Sequence, residues 1–208
     1  MKAKDIRRFF EELDRRLNAP VRVILTGGAA AVLQGVARVT YDIDFELDFK
    51  KAGANRDTVQ KAIQDAGQST GITPHYAEDI DRWSAISLPA KRSRPFLKIG
   101  KVDVRLLDPG LWAIGKLARY LSSDIDDLRT VLKTAKNRPG SLAILWGKAL
   151  GMSPTSSAQA LFHRQVESFL DSYAREIWGP NTDPVELKRL FITSARALRV
   201  LPRKGGAS

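Results

Sequence analysis

Hydrophobic spacing divides the chain into two parts, and the period changes at Asp108-Pro109-Gly110. Upstream, runs of period two alternate with helical runs, whereas everything downstream follows a period near 3.6. Ile6, Phe9, Phe10, Leu13 and Leu17 predict a helix over 4–17 that stops before Pro20. Val21, Val23 and Leu25 begin a strand, and Ala29 to Gln34 reads as a short buried helix ended near Gly35. Over Tyr41–Phe49 the alternation is strict. Ile43, Phe45, Leu47 and Phe49 face one way, and Asp42, Asp44, Glu46 and Asp48 face the other. Val59, Ala62 and Ile63 predict a helix over 55–66. Residues 70–95 are rich in Pro, Gly and Ser and hold one predicted strand, Ser84–Leu88. Residues 96–107 hold two strand-like pieces around Gly100, the second setting Val102, Val104 and Leu106 against Asp103 and Arg105. Helices are then expected at 111–121, 123–136, 141–150, 157–178 and 184–200. The pattern predicts an α+β fold. A small mixed sheet flanked by helices occupies 1–108, a helical half follows over 109–202, and 203–208 forms a tail.

Composition narrows the class. The 208 residues are 43% hydrophobic and 27% charged, an ordinary globular balance. The chain has no cysteine, which excludes disulfides and thiolate metal sites. It has no apolar run of membrane-spanning length, and its first 17 residues are charged throughout, so no membrane association and a cytoplasmic location are expected. The formal charge of +11, with the larger share of the excess after residue 109, favours a polyanionic partner such as nucleic acid. Lys91, Arg92, Arg94, Lys98 and Lys101 form an acid-free basic stretch suited either to guiding a phosphate backbone or to a solvated loop.

The candidate chemistry lies between residues 23 and 49. Thr26-Gly27-Gly28 joins a strand to a helix, and glycine lets backbone N–H groups approach a phosphate with no side chain in between. Asp42 and Asp44 lie about 6.5–7 Å apart along one strand face, so their oxygens can converge on one or two Mg²⁺ ions. Glu46 and Asp48, on the same face, read as solvent-facing acids. Asp103 is the expected third carboxylate, completing the metal site and accepting a proton from an attacking hydroxyl if its strand lies beside the 41–49 strand.

Other motifs read as structural. Gly110 and Gly115-Lys116-Leu117 have the spacing of a phosphate-binding loop, but Leu117 replaces the metal-binding hydroxyl and the intervening residues are apolar. The acids at 42, 44, 46 and 48 mimic a calcium loop, but Leu47 stands where glycine is needed. Ser123 with Asp126 fits a helix cap, which makes Asp124, Asp126 and Asp127 first-turn acids. His75 and His163 have no ligand-type neighbour in sequence and read as structural or surface residues.

Gly27-Gly28, thirteen intervening residues, and Asp42-Ile43-Asp44 together resemble the signature of the polymerase-beta-like nucleotidyltransferase superfamily. The flanking Arg38-x-Thr40 is similar to that of minimal and toxin-type bacterial members, as is Lys116-Leu117-x-Arg119 followed by Asp124-Ile125-x-Asp127-Leu128. The resemblance covers 21–48 well and 101–130 loosely. It implies a nucleotidyltransferase fold and Mg²⁺-dependent transfer of a nucleotidyl group from an NTP, with release of pyrophosphate. Asp42, Asp44 and Asp103 would hold the metal. Thr26, Gly27 and Gly28 would sit at the triphosphate, with Arg38, Thr40 and Lys116 as further phosphate contacts. The acceptor expected from the charge is nucleic acid such as tRNA, and an antitoxin protein is an expected partner of a toxin-type member. The alternative is a nucleotidyltransferase-like module that binds nucleotide or RNA without turnover.

Overall fold

The computed structural model describes residues 1–48, 55–78 and 85–200, with side chains through 198. It is α+β, with eight helices and a five-stranded mixed sheet among the described residues. The chain forms two compact units, Met1–Arg82 with Lys91–Trp112, and Trp83–Ala90 with Ala113–Ser208.

The first unit is built on the sheet. Its elements are α1 (Ala3–Arg16), β1 (Val21–Leu25), α2 (Gly27–Leu33), β2 (Asp42–Leu47), α3 (Arg56–Thr70), β3 (Thr73–Ala77), β4 (Ser93–Ile99), β5 (Val102–Leu107) and the start of α4 (Pro109–Arg119). The strand order is β3-β2-β1-β5-β4. β1 is antiparallel to β2 and parallel to β5, β2 is parallel to β3, and β4 and β5 are antiparallel neighbours.

Register fixes which residues share a face. Val23 pairs with Leu47 and Val104, and Leu25 with Phe45 and Leu106, so the apolar positions fall together. Against this face α1 sets Ile6, Phe9, Phe10 and Leu13, all buried. Phe45 lies 6.2 Å from both Phe9 and Phe10 and stacks on Tyr76 at 5.8 Å. Burying one such side chain contributes about 1.5–3 kcal/mol, so this aromatic group anchors the unit. The opposite face carries Arg22, Asp42, Asp44, Glu46, His75, Asp103 and Arg105.

Two strand expectations change. Residues 85–88 are not a strand: Ile86 is 1% exposed, and the Ser87 N–H donates to Ser153 Oγ at 2.9 Å within the second unit. Thr73–Ala77, read as irregular, is the edge strand β3. Its Pro74 is tolerated because an edge strand needs ladder bonds on one side only. Glu46, expected in solvent, is 6% exposed and lies 3.8 Å from Lys91 Nζ. Phe49, Ser84 and the 203–208 tail lie outside the described residues.

The second unit is helical, with the rest of α4 followed by α5 (Ser122–Thr134), α6 (Pro139–Met152), α7 (Ser157–Trp178) and α8 (Pro184–Val200). The helical period predicted all five to within a few residues. α6 and α8 approach closely because Gly147 presents no side chain. A Cβ there would stand 2.2 Å from the Phe191 carbonyl oxygen and 2.8 Å from Ser194 Cβ. Trp146, Phe169 and Phe191 fill the interior.

Gly147→Ala is therefore expected to destabilise the protein by about 1–3 kcal/mol through overpacking. Gly115→Ala, on an open position of α4 with nothing within 4 Å of the added Cβ, should gain about 0.5–1 kcal/mol. Thermal unfolding followed by circular dichroism reads both signs.

Candidate metal and phosphate site

Everything in this site belongs to the first unit. β1 ends at Leu25, and the next backbone N–H, that of Thr26, donates to the Asp44 carbonyl at 3.0 Å. The chain then turns through Gly27 at φ +60° into α2. This left-handed conformation costs a residue with a Cβ about 1–2 kcal/mol. Glycine is demanded here for a second reason. A Cβ on Gly27 would fall 1.8 Å from Asp44 Oδ2. One on Gly28 would fall 2.7 Å from Thr40 Oγ1 and 3.0 Å from Arg38 Nη2. The glycine pair is thus the floor on which Arg38, Thr40 and Asp44 rest. Trp112 fastens it from the other side, donating Nε1–H to the Gly27 carbonyl at 3.0 Å.

The first N–H groups of a helix have no partner within it, and here they open beside the Arg38 guanidinium. Donors and positive charge therefore meet at the glycine turn. A few ångströms away the charge inverts. Thr40 Oγ1 donates to Asp42 Oδ1 at 3.0 Å, turning the carboxylate. Asp42 Oδ2 and Asp44 Oδ1 both look toward His75, whose Nδ1 lies 3.6 Å and 3.5 Å from them. His75 arrives through the β2–β3 register, which sets it opposite Asp44 on the same face.

Six of the expected site residues, Gly27, Gly28, Arg38, Thr40, Asp42 and Asp44, are brought together here, with Thr26 at the head of the turn. Two others are not. Asp103 shares the face but not the level. It pairs with Arg22 on β1, four residues from the Thr26 that bonds Asp44, which is roughly 13 Å along the strand and a strand further across. There Arg22 Nε donates to it at 2.6 Å. Asp103 is a structural ion-pair partner, and the expected triad does not form.

Lys116 lies in the helical unit at 3% exposure, with Nζ 2.9 Å from Asp124 Oδ1 and 2.7 Å from Asp127 Oδ2. Burial fits a cation here because two carboxylates surround it. Asp124 and Asp127 are accordingly buried, and Asp124 is a first-turn acid of α5 as expected, its Oδ2 accepting from the Leu121 N–H at 3.2 Å, which puts the helix cap at Leu121 and not at Ser123. The turn spacing of Gly110 and Gly115 lies inside α4, so no phosphate-binding loop exists there.

His75 is the residue that sequence reasoning missed. The sole hint was a Thr-x-His-x-Ala alternation interrupted by Pro74. Among the described residues, Asp42, Asp44 and His75 form a group whose ligand atoms all lie within 4.8 Å of one another. Mg²⁺ fits the two carboxylates, since it is bound by one or two of them plus substrate phosphates and water. No helix among the described residues is long and apolar enough to cross a membrane.

Two predictions follow from these contacts. Gly27→Ala should lose at least about 1 kcal/mol of stability from the left-handed backbone. It should also push Asp44 aside, so that divalent cations raise the melting temperature of the wild type more than that of the variant. In the helical unit, burial would raise the Asp124 carboxyl, but hydrogen bonds from Arg119 and Lys116 outweigh it and hold the group below its ordinary value of 3.8. A depressed carboxyl contributes stability above its unfolded pKa and loses it as pH falls through the folded value. Melting temperature should therefore drop on acidification below about pH 4, and less steeply in Asp124→Asn, in scans from pH 6 to 2.

Compared with protein-family models, curated proteins and solved structures, the chain matches none.

Proposed function

We propose that the protein is a nucleotidyltransferase that uses Mg²⁺ and an NTP to place a nucleotidyl group on a nucleic-acid acceptor such as tRNA. One observation carries the reading. The glycine pair and the carboxylate pair, separated by thirteen residues, meet in space with Asp44 resting on Gly27 and with Thr40 and Arg38 on Gly28. Anion-binding and cation-binding groups side by side are what a metal-bound triphosphate requires.

Each residue then has a task. Gly27 and Gly28 admit phosphate oxygens to the backbone N–H groups, and Arg38 offsets their charge. Thr40 fixes the rotation of Asp42, and Asp42 and Asp44 hold the metal. Bound there, Mg²⁺ would neutralise charge on the attacking and leaving oxygens of the transfer. An acceptor hydroxyl oxygen joins the α-phosphorus and gives its proton to solvent, the α–β phosphoanhydride breaks, and pyrophosphate leaves. Lys91, Arg92, Arg94 and Lys98 are exposed along the edge strand β4 and its approach, where they suit a polyanionic acceptor. The same charges also protect the strand edge from pairing with other chains. A toxin role opposed by an antitoxin protein is a context compatible with this chemistry.

The displacement of Asp103 favours a second reading, a module of the same kind that binds nucleotide or RNA without turnover. One assay separates the two. The protein is incubated with labelled NTPs, Mg²⁺ and total RNA beside an Asp42→Ala/Asp44→Ala variant. Transferase activity predicts label on RNA with the wild type and at least about a hundredfold less with the variant. Nucleotide binding without label transfer supports the binding module.

A further inference from the structure

The third member of the metal group is an imidazole and not a carboxylate, and that changes which cation the group prefers. Mg²⁺ is a hard ion that takes oxygen ligands and keeps several waters. Imidazole nitrogen suits first-row dications such as Zn²⁺, Fe²⁺ and Ni²⁺, and Mn²⁺ is the weakest binder of that row. We infer that Asp42, Asp44 and His75 form a site for a first-row transition-metal dication, for which Mn²⁺, the weakest binder of that row, is the most stringent probe, and in which His75 Nδ1 is a ligand and gives preference over Mg²⁺. The inference rests on the metal role given above to Asp42 and Asp44, but not on turnover.

Geometry supports it in three respects. First, the donor separations suit a shared ion. Nδ1 stands 3.5 Å from Asp44 Oδ1 and 3.6 Å from Asp42 Oδ2. Neighbouring donors on one ion with bonds of about 2.0–2.2 Å lie roughly 3.0–3.4 Å apart, so a few tenths of an ångström of side-chain motion brings the nitrogen to each oxygen, and all three donor atoms lie within 4.8 Å of one another. His75 is 55% exposed and can make that motion.

Second, the outer oxygens are held in place. Asp42 Oδ1 accepts from Thr40, and Asp44 Oδ2 packs over Gly27. Each carboxylate thereby directs its other oxygen at the imidazole. Metal ligands are usually oriented in this way, by hydrogen bonds and packing behind them.

Third, the nitrogen comes from a rigid place. His75 is a strand residue in register with Asp44, and its neighbour Tyr76 is clamped from the far face by stacking on Phe45 at 5.8 Å. The two carboxylates carry two negative charges, which balance a dication when the imidazole is neutral. With Asp103 committed to Arg22, the third ligand comes from β3 and not from β5. The competing arrangement is a plain ion pair in which a protonated imidazole bridges the two acids. It predicts no role for His75 in cation binding.

The test titrates Mn²⁺ into the protein, reads free Mn²⁺ by electron paramagnetic resonance, and measures Mg²⁺ by competition. Wild type, His75→Ala and His75→Asp are compared, with circular dichroism reporting that each is folded. The inference predicts that wild type binds Mn²⁺ at least about tenfold more tightly than Mg²⁺. His75→Ala should lose about tenfold or more in Mn²⁺ affinity while Mg²⁺ affinity stays within about threefold. His75→Asp, with oxygen in place of nitrogen, should bind both ions with little preference.

Unchanged Mn²⁺ affinity in His75→Ala, an equal loss for both ions, or no Mn²⁺ binding by wild type would overturn it. If wild type transfers label with Mg²⁺ yet binds Mn²⁺ no better than His75→Ala, this inference alone falls. If Mn²⁺ binds through His75 and no label moves with either ion, the transferase reading alone falls.

Discussion

The contact between the Gly27 turn and the Asp44 carboxylate is the constraint on which the site depends. Two chain segments can approach so closely only where one of them lacks a side chain. The β1–β2 ladder delivers the approach, since the Thr26 N–H bonds the Asp44 carbonyl at the point where β1 ends. Trp112 then holds the Gly27 carbonyl from behind. The turn is fixed by a backbone bond on one side and an indole on the other, so its place beside the acids does not rely on loop stiffness.

The sheet behind it divides its labour by face. Alternation sends Val23, Leu25, Phe45 and Leu106 toward α1 and leaves Asp42, Asp44 and His75 on the reverse. The apolar face supplies rigidity through the Phe9, Phe10, Phe45 and Tyr76 rings. Two like charges on Asp42 and Asp44 repel, and a stiff strand, with Thr40 bonded to Asp42, is what keeps them together. Stability on one face is thus the condition for charge density on the other.

The sequence made the helices legible because each packs an unbroken apolar stripe, and it made β1, β2 and β5 legible because their alternation is strict. β3 was not legible. Its Thr73, Pro74, His75, Tyr76 and Ala77 carry no apolar alternation, and pairing with β2 holds it in the sheet. The 84–88 segment misled for the opposite reason, because Ile86 is apolar for packing in the helical unit and not for a ladder. At the site, local spacing was enough to single out Gly27, Gly28, Asp42 and Asp44, whereas Arg38 and Thr40 entered only through the resemblance. Asp103 shows where spacing stops. Alternation says which face a residue occupies, but only register says how far along the strand it lies. Lys116 shows the same limit, since its partners Asp124 and Asp127 reach it across the α4–α5 turn. His75 belongs to the site through a parallel register that no local pattern announces.

The central claim is that one place on the sheet holds both a cation and a triphosphate. The most direct measurement is a crystal structure with Mn²⁺ and a non-hydrolysable NTP analogue, with the metal located by anomalous scattering. The account predicts an anomalous peak bounded by Asp42, Asp44 and His75, with the triphosphate against Gly27 and Gly28 and within reach of Arg38. A nucleotide bound elsewhere, or a peak away from these two aspartates, would contradict it.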